Sequence, residues 1–473
     1  MAKPSKTGKK SKARKGKQKK ASAQFSPTSK NLPSFLYRHK ALKWLLLLFG
    51  FLLYANTLPF DYTQDDAIVI YDNMYTRQGI KGFEGLLKYD TFKGFFKVEG
   101  KDKLVSGGRY RPFTPLMFAI EWQLFKTPKK DEQGNILKDE NGNTIYVGSP
   151  WIGHLINALL YGLTGLLLYL LLLQVLRPRY GDDFAYFVAF LSAAIFLAHP
   201  IHTEAVANIK GRDEIMTLLG SLAAWYYTWR AYTEKKSLYL LAAALLFFIA
   251  LLSKENAITF LAVIPLALYF FSKAKIGDII RHTFPLLAVA ILFLIIRASV
   301  LGWSIGPPSM ELMNNPFLKL VDNHWVPFSG AEKMATILFT LGYYIKLLVF
   351  PHPLTHDYYP RHIDIMHFGD WQVILSLLLY IGLGIYALYA WRKKDIIAFG
   401  VLYFFITISI ISNIVFPVGT NMSERFMFMP SVGFSLMMAV LAWRWASKKQ
   451  FASMKIVLAV LAVYLLLLSA KTI

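Results

Sequence analysis

The chain has 473 residues, which as soluble protein would make roughly three domains. Composition excludes that. Apolar residues make up 55% of the chain, mean hydropathy is +0.39, and the apolar positions fall in blocks such as Ala41–Leu53, Ile156–Val175 and Ile456–Leu468. A soluble, secreted or disordered protein is ruled out, and the absence of Cys removes disulfides, thiol catalysis and Cys-based metal centres together.

The chain reads as an all-α polytopic membrane protein. Met1–Lys43 carries 14 Lys/Arg and no acid, the first acid being Asp61, so 14 of the +23 net charges lie in one basic arm. Residues 1–40 of it are too polar to fold and read as a disordered cytoplasmic anchor, not as a nucleic-acid binder. No small-residue cleavage site follows the first apolar run, so a signal peptide is a poor reading. About eleven spans follow, near 41–57, 151–175, 184–199, 214–231, 237–252, 256–272, 283–301, 371–391, 395–414, 428–444 and 454–470. The short connectors at Arg177–Arg179, Arg230–Lys236, Ser272–Arg281, Arg392–Lys394 and Arg444–Lys455 are basic, which places them inside with the N-terminus. The long loops 58–150 and 302–370 then lie outside, as does the C-terminus. This assignment holds when Lys333–Phe350, in the second loop, is a re-entrant or interfacial element.

Unusual chemistry gathers on the outer face. In Gln64-Asp65-Asp66, adjacent carboxylates cannot share one helix face, so one is free for a substrate while the other holds backbone or a cation. Thr76–Val98 interleaves Lys with Phe83, Leu86, Leu87, Phe92, Phe95 and Phe96, the makeup of a helix lying in the interface. Arg109-Tyr110-Arg111-Pro112 opens an apolar helix through Pro115–Phe125. Gly134-Asn135 and Gly142-Asn143 predict a polar β-hairpin between Lys126 and Val147. In His199-Pro200-Ile201-His202-Thr203-Glu204, a divalent cation is one occupant of the two His and the Glu. Their spacing is not that of a helical zinc site, and hydrogen bonding to a polar substrate is preferred. Lys254-Glu255 interrupts two apolar runs as a charged pair in a tight turn. Glu424-Arg425 introduces the tenth span, where an Arg needs a partner. Neighbours on a helix face each other poorly, so a phosphate is favoured over Glu424.

Five blocks carry a resemblance. They are Gln64-Asp65-Asp66-Ala67-Ile68; Tyr110-Arg111-Pro112; His199-Pro200-Ile201-His202-Thr203-Glu204-Ala205-Val206 with Gly211-Arg212; Ser253-Lys254-Glu255; and Pro417-Val418-Gly419 with Ser423-Glu424-Arg425 and Pro430-Ser431. In this order they resemble the transmembrane-and-tetratricopeptide-repeat O-mannosyltransferase family, membrane glycosyltransferases of the GT-C fold. The similarity spans nearly all of residues 45–473. Two departures stand out. Lys126–Val147 looks like an insertion, and the chain stops at Lys471-Thr472-Ile473, where family members continue into a repeat array. That makes it a short relative or a truncated chain.

The resemblance implies transfer of a single mannose-like sugar, with inversion, from an undecaprenyl- or dolichyl-phosphate donor to a Ser or Thr hydroxyl of a protein acceptor. The lack of Cys, the missing repeat array and the Gly-Asn turns suggest a bacterial inner membrane with the site facing the periplasm, the alternative being the endoplasmic reticulum with the site in the lumen. Asp65 is the expected base, with Asp66 orienting it or substituting for it. Arg425, Arg212, Arg111 and Lys254 are the expected partners of the donor phosphate, Arg111 serving either the phosphate or Asp65. His199, His202, Glu204, Glu255 and Glu424 are expected around the substrate. No metal or cofactor is required by this set, although a divalent cation fits its chemistry. Two rivals remain, transfer to a lipid or glycan and transport of a lipid-linked sugar; few ionisable groups lie at mid-span, as a transporter would need.

Overall fold

The computed structural model describes residues 34–97, 108–303, 310–312, 314–359, 361–415, 418–448 and 452–473. Residues 1–33 of the basic arm, Val98 and Pro417 lie outside the described residues. Among those described, the helices of ten residues or more are α1 (His39–Leu52), α2 (Phe113–Phe125), α3 (Pro150–Tyr180), α4 (Asp182–Ala198), α5 (Arg212–Glu234), α6 (Leu238–Ser253), α7 (Phe260–Phe271), α8 (Ile276–Leu301), α9 (Gly330–Val349), α10 (Trp371–Trp391), α11 (Ile396–Ser409), α12 (Ser431–Lys448) and α13 (Ala452–Thr472). Each apolar run read as a span coincides with one of them.

Length and apolarity together qualify α3, α8 and α10 to cross a membrane, and α4 with the bent segment Pro200–Val206 makes a fourth when the pair, at 54°, counts as one span. The chain is therefore a largely helical membrane protein with several apolar candidate spans. The helix ends follow local chemistry. Gly181, at φ +82°, closes α3, and Asp182 and Asp183 then occupy the first turn of α4, where the helix dipole favours acids. Pro200, which has no N–H to give, follows the end of α4. Ser329 and Glu332 form a reciprocal capping box at the start of α9.

One apolar core joins α1, α3, α4, α5, α6, α7 and α12. At the α1–α3 crossing, a Cβ on Gly50 would lie 2.7 Å from the Gly162 Cα, so this approach of backbones needs both glycines. A second core joins α9 and α11 to Ile201 and to Met422, Phe426 and Met427. The C-terminal end of α9 meets His199, just beyond α4, and its N-terminal half packs on Met366 and Val373 at the start of α10.

Strands are few among the described residues. β1 (Thr127–Pro128) pairs with β2 (Tyr146–Val147), and β3 (Leu318–Val321) with β4 (His324–Pro327), both antiparallel. The expected hairpin at 126–147 is a three-ply meander instead. Leu137 N–H donates to Lys129, and Ile145 N–H donates to Leu137. Two copies of Asp-Glu-x-Gly-Asn make its turns. Asp131 accepts from the N–H of Gln133 and Asn135, Asp139 from Asn141 and Asn143, and Gly134 and Gly142 adopt φ of +87° and +79°. The interfacial segment also differs from a single helix. It is broken into Thr76–Gly82, Phe83–Lys88 and Lys93–Phe96; Gly79, at φ +65° against Gln123, kinks the first piece, and Tyr89 turns extended after the second.

Candidate active site

The connectors around residues 64, 110, 204, 254 and 425 converge on an open cavity of ≈ 730 Å³. Asp65, Arg109, Arg111, Glu204, Lys210, Lys254, Glu255 and Arg425 line its polar side, while Phe293 and Leu294 of α8, with Ile258 and Ile410, line an apolar side.

Asp65 and Asp66 have separate tasks. Gln64, at φ +44°, turns the chain ahead of them. Asp66 is fully buried, and its two oxygens accept from the N–H of Thr63 at 2.9 Å and of Lys210 at 2.8 Å. It staples the first loop to the connector after α4, and burial pushes its pKa up to about 6 despite those two donors. Asp65 faces the cavity. Lys210 Nζ lies 3.5 Å and Arg425 Nη1 3.9 Å from its Oδ2. The Lys210 charge holds its pKa below the ordinary value, against burial, with Arg425 and Arg109 adding to the effect.

Behind Asp65 lies a lattice of buried charge. Lys210 also reaches Asp213 at 3.6 Å. Arg111 donates to both oxygens of Glu255, at 2.9 and 2.6 Å, and to Asp213 at 3.1 Å. For Glu255, burial alone would raise the pKa; the Arg111 charge and its fork of hydrogen bonds hold it at about 2. Lys254 pairs with Glu214, both almost completely buried. The charged Lys254-Glu255 turn thus makes two cross-pairs to different elements.

Arg425 has a protein partner that neither sequence reading named. Glu204 accepts from the Arg425 backbone N–H at 2.8 Å and from the Ser423 hydroxyl at 2.7 and 2.9 Å, and it forms an ion pair with Arg425 Nη1 at 3.0 Å. Glu424 turns away, accepting from the N–H of Thr355 at 2.7 Å and the Tyr358 hydroxyl at 3.1 Å. Burial pushes its pKa up to about 7.

Besides Asp66 and Glu424, three more expected residues, Arg212, His199 and His202, do not line the cavity. Arg212 has no exposed surface. It is engaged by Glu121, by Asn157 at 2.8 Å and by the Gly153 carbonyl at 3.1 Å, and it lies 4.4 Å over the Phe118 ring. Its donors are used internally, away from the cavity, where a donor phosphate was expected. His199 Nε2–H donates to the Leu348 carbonyl at 2.9 Å and Nδ1 accepts from Ile201 N–H. His202 lies 2.9 Å from the Tyr161 hydroxyl and 2.8 Å from the Ser431 hydroxyl, linking α3 to α12. His199, His202 and Glu204 therefore point to separate partners, and among the described residues no group of three His, Cys, Asp or Glu is placed to hold a metal ion.

Sequence reasoning missed three members of the site. Lys210 and Asp213 sit one residue either side of Gly211-Arg212, and Arg109 two before Arg111. Charges in a loop look solvated until the fold buries them; the one available signal was proximity to the quoted blocks.

Comparison with known proteins accords with the resemblance in the motifs. The dolichyl-phosphate-mannose-protein mannosyltransferase family profile matches residues 143–303. The chain is 24% identical to protein O-mannosyl-transferase TMTC4 of Mus musculus over 84% of its length and 55% of that protein's. It is 26% identical to protein O-mannosyl-transferase F38B6.6 of Caenorhabditis elegans over 85% of its length and 52% of that protein's. It is also 26% identical to protein O-mannosyl-transferase TMTC2 of Homo sapiens, over 73% and 39% respectively. The chain spans about half the length, or less, of these curated relatives.

Proposed function

We propose that this protein is a membrane glycosyltransferase of the GT-C type. It moves one mannose-like sugar from a polyprenyl phosphate, dolichyl- or undecaprenyl-linked, to a Ser or Thr hydroxyl of a protein. The observation that carries the reading is the position of Asp65, an ionised carboxylate open to a cavity with cations on one wall and apolar side chains on the other. The relatives' names supply the sugar and the acceptor class.

The chemistry follows from the residues present. The acceptor oxygen attacks the anomeric carbon as the bond from that carbon to the phosphate oxygen breaks. The electron pair leaves on the phosphate, and the hydroxyl proton passes to Asp65. A single displacement inverts the sugar. Developing charge on the leaving phosphate is met by Arg425, with Lys210 behind it. Both cations also depress the basicity of Asp65. A phosphate that draws them away raises that basicity, so the base strengthens once the donor is seated. Phe293, Leu294 and Ile410 suit the first isoprene units of the tail. On this reading the cavity opens to the periplasm or lumen, opposite the basic connectors, and α9 enters the membrane without crossing it.

The test is Asp65→Asn, which keeps size and removes the proton acceptor. With labelled polyprenyl-phosphate mannose and an acceptor peptide, transfer is expected to fall at least about a hundredfold while donor binding persists. Near-normal turnover in Asp65→Asn removes Asp65 as base. Label arriving in a lipid acceptor in place of the peptide redirects the function to lipid modification.

A further inference from the structure

The basic residues of the cavity are not equivalent. Arg111 is held by Glu255 and Asp213, Lys254 by Glu214, Lys210 by Asp65 and Asp213, and Arg425 by Glu204. Arg109 also lines the cavity, yet among the described residues no carboxylate comes within 4.0 Å of it. Its one close aromatic neighbour is the Phe92 ring, 5.3 Å from the guanidinium carbon. Burial first, and then repulsion from Arg111 and Arg425, which outweighs the attraction of Asp65 and Glu255 from beyond ion-pair distance, bring its pKa down to about 10, so on balance this charge is opposed where it is held. Its backbone is fixed nonetheless. The Arg109 carbonyl accepts from both the N–H and the hydroxyl of Thr91, at 2.9 and 3.0 Å, and the next residue, Tyr110, is buried with its hydroxyl on the Leu87 carbonyl at 2.9 Å. A guanidinium presented from a pinned backbone into a cavity, and with no ion pair among the described residues, suits an anion.

We propose that Arg109 is the principal anchor for the phosphate of a prenyl-phosphate lipid, with Arg425 as the second, already partnered cation. The inference rests on the donor class proposed above and names the residue that selects it. Arg109 stands on the same cavity as Phe92 and as Phe293 and Leu294, which gives the phosphate a polar seat and the attached chain an apolar wall. Its planar fork holds two phosphate oxygens, and the bound anion removes the repulsion among Arg109, Arg111 and Arg425. Arg109 thus contributes to binding what it does not contribute to the stability of the empty protein.

That separation of binding from stability makes the assignment testable without an activity assay. The full chain in detergent is titrated with farnesyl phosphate, farnesol and inorganic phosphate, and its melting is followed with and without each. The wild type is expected to bind farnesyl phosphate more tightly than either other probe. Arg109→Gln is expected to weaken farnesyl phosphate about tenfold or more, Arg109→Lys less, with farnesol unchanged in both. The unliganded Arg109→Gln protein is expected to melt at or above the wild-type temperature, since it loses an opposed charge. Wild-type-like farnesyl phosphate affinity in Arg109→Gln overturns the anchor and leaves the donor class standing. A lowered melting temperature with unchanged affinity per folded molecule overturns it in favour of a structural role. A wild type that binds farnesyl phosphate no better than farnesol overturns both the anchor and the donor class. Inorganic phosphate binding as tightly as farnesyl phosphate overturns the lipid as its source.

Discussion

The two ends of the helical bundle use the same ionic side chains to different effect. At the cavity end, a fully buried Arg212 meets a half-buried Glu121, and Lys254 and Glu214 are buried together, with 4% and 3% of their side chains exposed. At the connectors of the other end, Arg177 with Asp182 and Arg230 with Glu234 are open, the first pair with about half of each side chain exposed. A pair in water contributes little, because solvent and salt screen it. A buried pair fixes geometry, because either member alone would be a charge without solvent. The number of charges does not mark the working end; their withdrawal from water does.

The sharpest way to break this contrast is at Arg212. Arg212→Ala leaves the Glu121 carboxylate and the Asn157 and Gly153 oxygens without their donor. It is expected to destabilise the protein by about 3–5 kcal/mol in a denaturation series in detergent. The double variant Arg212→Ala, Glu121→Ala recovers part of that loss; an additive double variant would mean that the pair is not coupled.

Glu424 sharpens the contrast through pH. Its folded pKa, about 7, lies above that of an unfolded Glu, so the folded protein binds the extra proton. The stability it contributes is fully present below about pH 4.5 and is lost as pH rises through about 7, with a slope of at most about 1.4 kcal/mol per pH unit. Melting temperatures from pH 5 to 8 are expected to carry that decline in the wild type and to lack it in Glu424→Gln. An identical decline in both proteins assigns it to another group. The smallest effect belongs to the open end. Arg177→Ala is expected to change stability by no more than about 1 kcal/mol and to lose even that in high salt. A larger loss would show that exposure fails to separate the two ends.

The helical plan was legible because an apolar run cannot be hidden. All eleven runs read as spans fall on helices, and Lys333–Phe350 matches α9 up to its last residue, which caps the helix. The meander at 127–147 was half legible. Gly134 and Gly142 announced turns, but only the paired hydrogen bonds of Asp131 and Asp139 make two of them. The site was legible as a set of neighbours and illegible as a division of labour. Asp65 and Asp66 look alike in sequence, and what separates them is the Lys210 backbone N–H, which is 144 positions away from Asp66. For Arg425 the sequence favours a phosphate over its neighbour Glu424, whereas Glu204 reaches it across 221 positions from another connector. Such choices depend on which loops the fold brings together, and residue type does not carry that information.

The doubled turn between β1 and β2 has a practical consequence. Its acidic side chains close their own turns, and the ends of the ladder are clamped in register between α2 and α3. A Cβ at Gly134 or Gly142 would meet no other atom within 4 Å, so the tips of both turns stand clear of the rest of the molecule. A small rigid domain grafted in place of one turn would inherit a defined orientation from that ladder. It would give a helical membrane protein of 53.9 kDa the asymmetric landmark that particle alignment in cryo-electron microscopy requires.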